Sequence, residues 1–135
     1  MKLWDVETVL AADAAQVLKG HTNYVMCLAF SPDGATLALG LPDGTVRLWR
    51  VSDGVPVRTL ASQPATVSSL AFSPDGGLLS LGSYDGGIEL WQVADGRLAG
   101  EFGGHAGRVL GLAFSPEGAY LASAAQDSMA KVWRV

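Results

Sequence analysis

Residues 30–49 read FSPDGATLALGLPDGTVRLW, and the phrase returns at 72–91 as FSPDGGLLSLGSYDGGIELW and at 114–133 as FSPEGAYLASAAQDSMAKVW. The copies are 42 residues apart, so that Trp49, Trp91 and Trp133 occupy one position of the repeat. A fixed period of this length indicates a repeat protein, in which each unit buries its apolar surface against the next one. The chain is therefore predicted to be a stack of similar units.

Each unit predicts four short β-strands. In the first copy, the apolar run 25–30 ends at the turn Ser31-Pro32-Asp33-Gly34, and the run 36–39 ends at Pro42-Asp43-Gly44. Residues 45–49 then alternate polar and apolar side chains, as a half-exposed strand does. Asp53-Gly54 turns the chain into a fourth strand at 57–60. No helical period of useful length is present, so the predicted fold class is all-β, with blades of four antiparallel strands.

Several motifs at this spacing resemble the WD-repeat family. They are Gly20-His21, the phrase that begins at Phe30, and Asp43-Gly44 followed by Trp49. The resemblance covers essentially the whole chain and implies a β-propeller. The Trp-Asp pair that names the family occurs once, as Trp4-Asp5, because Arg or Gln follows the other three tryptophans.

The period also predicts the strand order c-d, abcd, abcd, abc, lettered from the propeller axis outward. Here Trp4 is taken as the equivalent of Trp49, so that 2–6 and 15–19 become strands c and d. Residues 1–135 then form a partial propeller with an incomplete ring. Its parts are 1–19 (strands c and d of an incomplete first blade), 20–61 (repeat one), 62–103 (repeat two) and 104–135 (repeat three, lacking its last strand).

The resemblance further implies a hydrogen-bonded tetrad of His, Ser or Thr, Asp and Trp in each repeat. A buried indole N–H needs an acceptor, since leaving it unpaired costs about 1–3 kcal/mol. Only the last repeat has all four residues, the first lacks the hydroxyl, and the second keeps Asp and Trp alone. The candidate tetrad residues are His105, Ser123, Asp127 and Trp133, with His21, Asp43 and Trp49 in the first repeat and Asp85 and Trp91 in the second.

His105, Ser123 and Asp127 also have the composition of a hydrolase triad. A triad needs an exposed nucleophile and an oxyanion hole. Ser123 is predicted in the middle of a strand, and the same positions recur in degraded form in the other repeats, which favours a structural role. A hydrolase is therefore the least favoured hypothesis, and no catalytic residues are assigned.

The leading hypothesis is a non-catalytic protein-interaction scaffold. The resemblance implies that a protein or peptide docks on the face formed by the loops before the first strand and between the second and third strands. Aromatic residues and Arg dominate the energetics of interfaces. The candidate contact residues on this face are Tyr24, Leu41, Tyr84, Arg108 and Gln126.

Composition argues against other classes of ligand. The net charge is −4 and the nine basic residues are scattered, whereas nucleic acid binding needs a basic face. No apolar run reaches the roughly 20 residues of a membrane span. Two His 84 residues apart and one Cys give no metal cluster, and no phosphate-binding loop is present, so no metal or cofactor is expected. The expected location is the cytoplasm.

The incomplete strand order leaves two alternatives open. The chain can be the C-terminal structural segment of a larger multidomain regulatory protein, or it can form a homo-oligomer. In the second case strand 15–19 of one copy completes the sheet 108–135 of its neighbour, and strand 2–6 is displaced or displaces its equivalent. Two copies give six blades and three give nine, and two copies are favoured because rings of the resembled family hold six to eight.

Overall fold

A computed structural model describes residues 1–3, 16–18, 24–61 and 65–135, and all regular structure in these ranges is β-strand. The strands are β1 (Lys2–Leu3), β2 (Gln16–Val17), β3 (Cys27–Phe30), β4 (Thr36–Gly40), β5 (Thr45–Arg50), β6 (Pro56–Ala61), β7 (Val67–Phe72), β8 (Leu78–Ser83), β9 (Ile88–Gln92), β10 (Leu98–Phe102), β11 (Val109–Phe114), β12 (Tyr120–Ala125) and β13 (Ala130–Arg134).

The strands form four antiparallel sheets. Blade 1 is β3-β4-β5-β6, blade 2 is β7-β8-β9-β10, and blade 3 is β11-β12-β13. A two-stranded sheet, β1-β2, precedes them, and we call it the partial blade. The predicted fold class and the order c-d, abcd, abcd, abc are thus confirmed.

The partial blade has the register of the outer half of a complete blade. Lys2 pairs with Val17 and Leu3 with Gln16, as Arg47 pairs with Thr59 and Leu48 with Arg58 in blade 1. These partners are related by the offset that equates residue 4 with Trp49. Trp4 itself lies outside the described residues.

The Ser-Pro-Asp-Gly phrase forms a side-chain-stabilised turn. In blade 1 the hydroxyl of Ser31 donates to the Asp33 carboxylate at 2.6 Å and accepts from the Thr36 amide at 2.9 Å. The Ala35 amide also donates to Asp33, and these bonds hold the pKa of Asp33 below its ordinary value. Gly34 takes a positive φ of 71°, which glycine adopts without a steric cost. The phrase therefore fixes the connection between strands a and b.

The core lies between blades. Blade 1 contributes one face of β4, β5 and β6, and blade 2 the facing side of β7 and β8. The residues buried at this joint are Ala38, Val46, Leu48, Leu60, Val67, Leu70, Leu79 and Leu81. A similar cluster joins blades 2 and 3, formed by Ile88, Leu90, Val109 and Leu121. Packing between sheets, rather than within one, therefore provides the apolar burial.

Two glycines set the distance between neighbouring blades. A Cβ on Gly40 would lie 2.6 Å from a methyl group of Val67, and one on Gly82 would lie 2.5 Å from the same methyl of Val109. Both glycines are equivalent in the repeat, and both valines begin the next blade. The close approach of successive blades thus requires that this position carry no side chain.

We expect Gly82→Ala to destabilise the fold by about 1–3 kcal/mol, because the added methyl overpacks the joint between blades 2 and 3. Gly100→Ala is the matched control, since a Cβ there meets nothing within 4 Å. The free energies of unfolding follow from urea denaturation of both variants. Equal stabilities would contradict the close-packing argument.

Candidate functional site

The complete tetrad of blade 3 forms a continuous hydrogen-bonded series. His105 Nδ1 lies 2.8 Å from Asp127 Oδ2, and His105 Nε2 lies 2.7 Å from the Ser123 hydroxyl. The Trp133 indole N–H donates to the same hydroxyl at 2.9 Å. The four residues come from the loop before β11, from β12, from the turn after it and from β13. The series therefore ties all three strands of the blade together.

The chemistry of the groups fixes the direction of each hydrogen bond. The Asp127 carboxylate can only accept, so His105 Nδ1 carries the proton of that bond. The Trp133 indole can only donate, so the Ser123 oxygen accepts from it and directs its own hydrogen to His105 Nε2. A neutral imidazole satisfies every donor and acceptor of the series.

Asp127 also binds the backbone around it. The amides of Ala106 and Met129 each donate to its carboxylate at 3.0 Å. The hydrogen bond from His105, followed by those from the two amides, holds the pKa of Asp127 below its ordinary value. The charged carboxylate is thus an integral part of the folded turn.

Ser123 is placed poorly for nucleophilic attack. It is only 3% exposed, and its oxygen already accepts the indole N–H. His105 borders a cleft of about 290 Å³ between blades 2 and 3, but Ser123 is not among the residues that line this cleft. A substrate in the cleft would therefore not meet both residues of the supposed triad.

Blade 2 satisfies its tryptophan in a way that the sequence analysis missed. Leu81 stands where the tetrad hydroxyl would be, and Trp91 instead donates to the Glu89 carboxylate at 2.8 Å. Glu89 is 3% exposed and is paired across the sheet with Leu81. The signal was present, since a carboxylate two residues before the tryptophan coincides with the loss of the hydroxyl. Asp85 here accepts from the Ser83 hydroxyl and the Gly87 amide.

Blade 1 replaces the tetrad hydroxyl by apolar packing. Leu39 is fully buried and clusters with Trp49, Leu37 and Leu18. Asp43 accepts from the amide and hydroxyl of Thr45, at 3.0 and 2.7 Å. Its turn role is thus common to all three blades, whereas its tetrad role is not. His21, the remaining tetrad candidate, lies outside the described residues.

Two of the candidate contact residues meet directly on the loop face. The Arg108 guanidinium carbon lies 4.1 Å from the centre of the Tyr84 ring, a cation–π geometry that joins blades 2 and 3. Arg108 Nε is buried and has no hydrogen-bond partner among the described residues. Gln126 is exposed, and its amide donates to the Arg108 carbonyl. Tyr24 is 81% exposed at the start of blade 1.

Leu41 is the one contact candidate that the structure removes. It is only 2% exposed, because it follows β4 directly and its backbone bonds to Thr45 and Val67 draw the loop inward. A partner on the loop face could not reach its side chain. The sequence prediction of Leu41 as a contact is therefore wrong.

Within the described ranges, no three metal-ligating side chains come together. The same part of the chain contains no helix of the length and apolarity needed to cross a membrane.

The chain is similar to proteins built from WD repeats. The family described as WD domain, G-beta repeat matches residues 13–50, 54–92 and 96–134. A stretch of 49 residues is 51% identical to WD repeat-containing protein 18 of Homo sapiens, covering 36% of this chain and 11% of that protein. A stretch of 56 residues is 39% identical to small ribosomal subunit protein RACK1y of Oryza sativa subsp. japonica, covering 38% of this chain and 17% of that protein.

Solved structures show the same fold. The crystal structure of RRP9 WD40 repeats superposes with a TM-score of 0.85 and 29% identity, over 89% of this chain and 38% of that chain. The structure of U3-55K gives the same TM-score and coverage at 28% identity. The resemblance drawn from the motifs is thereby confirmed. The chain spans well under half the length of these relatives.

We expect Ser123→Ala to lower the free energy of unfolding by about 1–3 kcal/mol, because it leaves the Trp133 donor and the His105 acceptor without partners. Ser52→Ala, in an exposed turn, is the control for the substitution itself. Thermal and urea unfolding measure both variants. An unchanged stability would contradict the structural role of the tetrad.

The lowered pKa of Asp127 makes stability depend on acid. We expect the free energy of unfolding to fall as the pH drops below the ordinary carboxyl value of 3.8, since the unfolded chain then binds protons that the folded Asp127 still excludes. Asp127→Asn should flatten the dependence in this range, and Glu117→Gln, which removes an exposed carboxylate, should not. Parallel curves for both variants would contradict this assignment.

Proposed function

We propose a function for this chain on the premise that it belongs to the WD domain, G-beta repeat family: it binds a protein or peptide and catalyses no reaction. Proteins of this family are typically protein-interaction scaffolds. The observation that carries the proposal is the Arg108–Tyr84 pair on the loop face, at the joint between blades 2 and 3. We also propose that the protein acts in the cytoplasm, a location consistent with its single cysteine.

The pair has the properties of an interface anchor. Stacking on Tyr84 restrains the long Arg108 side chain before any partner arrives, which reduces the entropy lost on binding. The unpartnered Nε of Arg108 leaves the guanidinium with capacity for hydrogen bonds from a partner carbonyl or carboxylate. Tyr24 and Gln126, both exposed, supply further contact area on the same face.

The non-catalytic part of the proposal is supported by the tetrad. Ser123 is buried and its oxygen serves the Trp133 indole, so His105 and Asp127 act as structural partners and not as a base and its orienting acid. Glu89 and Leu39 replace the hydroxyl function in the other blades. Such replacement is compatible with a fastening role, whereas a catalytic role requires the particular groups.

Self-association is a second candidate function, favoured by the two ends of the chain. Leu28 and Phe30 on the first face of blade 1 are each 51% exposed, and Val132 on the last face of blade 3 is 71% exposed. Apolar faces of this kind mark contacts with another molecule. A second copy of this chain, with two copies favoured over three, or the remainder of a longer chain would cover them.

Peptides selected from a displayed random library test the scaffold proposal. We expect peptides that bind the chain to lose at least about tenfold in affinity on Arg108→Ala, the loss of about 1.4 kcal/mol that a central anchor exceeds. Tyr84→Phe keeps the ring under Arg108 and should retain binding. Arg97→Ala removes an arginine whose side chain is 83% exposed, away from the loop face, and is the matched control.

Binding that is equally sensitive to both arginine variants would reflect general charge. Binding that neither variant changes would place the peptide site elsewhere. Either result would contradict the assignment of the loop face.

A further inference from the structure

The first face of blade 1 is half of a joint whose other half is absent from the chain. Leu28 and Phe30 are each 51% exposed there. Their equivalents in blade 2, Leu70 and Phe72, pack into the joint with blade 1, and Leu70 is only 9% exposed. The outer part of the same face is covered by the partial blade, through Leu18. The inner part, beside β3, is open.

The last face of blade 3 is the other half of the same joint. Val132 is 71% exposed, whereas its equivalents Leu48 and Leu90 are 1% and 5% exposed in the joints inside the chain. Small side chains beside it leave an apolar depression of about 300 Å³ on this face. Large apolar residues therefore project at one end of the chain, and a depression lies at the other.

Blade 3 also has an open edge. β5 and β9 each pair with a strand on both sides, β6 and β10 being the outer partners. β13 pairs only with β12 among the described residues. Unpaired N–H and C=O groups along such a strand favour the addition of another strand. The strand that is equivalent to β6 and β10 is β2, in the partial blade.

β1 and β13 are equivalent strands, so that β2 could pair with either. Residues 1–6 read MKLWDV and residues 130–135 read AKVWRV, with Lys, Trp and Val in common. β1 is held to β2 by two residue pairs, whereas β13 is held to β12 by five and is fixed by the Trp133–Ser123 bond. β1 is thus much the easier of the two to displace.

We propose that two copies of the chain join by strand exchange, in which β13 of one copy replaces β1 beside β2 of the other. This inference rests on the proposed self-association and specifies its contact. The register of the inner blades predicts that Lys131 then faces Val17 of the other copy, in the place of Lys2. The last face of blade 3 covers Leu28 and Phe30 in the same step.

The exchange gives whole blades. Without β1, each copy supplies twelve of its thirteen strands, which make three four-stranded blades. Two copies would form a ring of six blades, within the range of roughly four to eight that propellers adopt, and three copies would exceed it. The contact joins different faces of the two copies, so a ring can close on itself without leaving an exposed end.

One position shows where the new joint must differ from those inside the chain. Gly40 and Gly82 approach the valine that begins the next blade, and the equivalent residue of blade 3 is Ala124. Its methyl would meet Val25 of the other copy unless the two move apart by about 1 Å, to ordinary contact distance. Gly111 opposite Ala124 leaves free space within blade 3, so strand β12 has room for this shift.

Disulfide trapping tests the exchange. In a background of Cys27→Ser, the residue found at the equivalent position 69, we introduce Val17→Cys with Lys131→Cys. Facing residues of paired strands lie within the Cα separation that a disulfide requires. In one copy these two positions lie at opposite ends of the array, with blades 1 and 2 between them. We therefore expect a covalent dimer as the main oxidised product.

The matched control is Val17→Cys with Lys2→Cys, a pair that is adjacent within one chain. We expect this disulfide to form inside the single chain, to hold β1 in place and to abolish the dimer. Each single cysteine variant should give no specific dimer. A covalent dimer that forms equally well from the control pair would overturn the exchange.

The native mass separates this inference from the proposed self-association. We expect twice the 14.0 kDa of one chain by light scattering, and loss of the dimer on Val132→Asp but not on Val57→Asp, which is exposed away from both end faces. A mass of 14.0 kDa at every concentration overturns self-association and the exchange together. A double mass without the Val17–Lys131 disulfide overturns the exchange alone.

Discussion

Each blade of this protein is apolar on both faces, so a blade can bury its side chains only between two others. Blade 2 has both neighbours, and Leu79 on one face and Ile88 on the other are at most 1% exposed. Blade 3 has one neighbour, and Val132 on its far face is 71% exposed. Similar residues are thus core or surface according to whether a further sheet is present, and the two end faces follow from this constraint.

Polar fastening is subordinate to that packing and has been solved differently in each blade. Trp133 donates to Ser123 within a four-residue series, and Trp91 donates to the buried carboxylate of Glu89. Beside Trp49, the hydroxyl position is occupied by the buried Leu39. A buried donor must be satisfied, but several residue types can serve as the acceptor. The pattern is compatible with a structural role for these residues and gives no support to a catalytic one.

Most of the fold could be predicted from the sequence because its determinants are local. The bonds of Ser31 and Asp33 form inside one turn, and the 42-residue period places every later strand by counting. The candidate site was predicted less completely. Glu89 was missed because its bond to Trp91 depends on the depth of burial, and Leu41 was wrongly assigned to the surface because its loop turns inward.

The sequence by itself determined the all-β class, the strand order and the positions of the tetrad, since turn chemistry and alternation act between near neighbours in the chain. Only the tertiary structure decided that Arg108 stacks on Tyr84 of the preceding blade and that Leu28 and Val132 remain uncovered at opposite ends. These features depend on contacts between sheets that are 42 residues or more apart in the repeat. No local pattern records which face of a blade will find a partner.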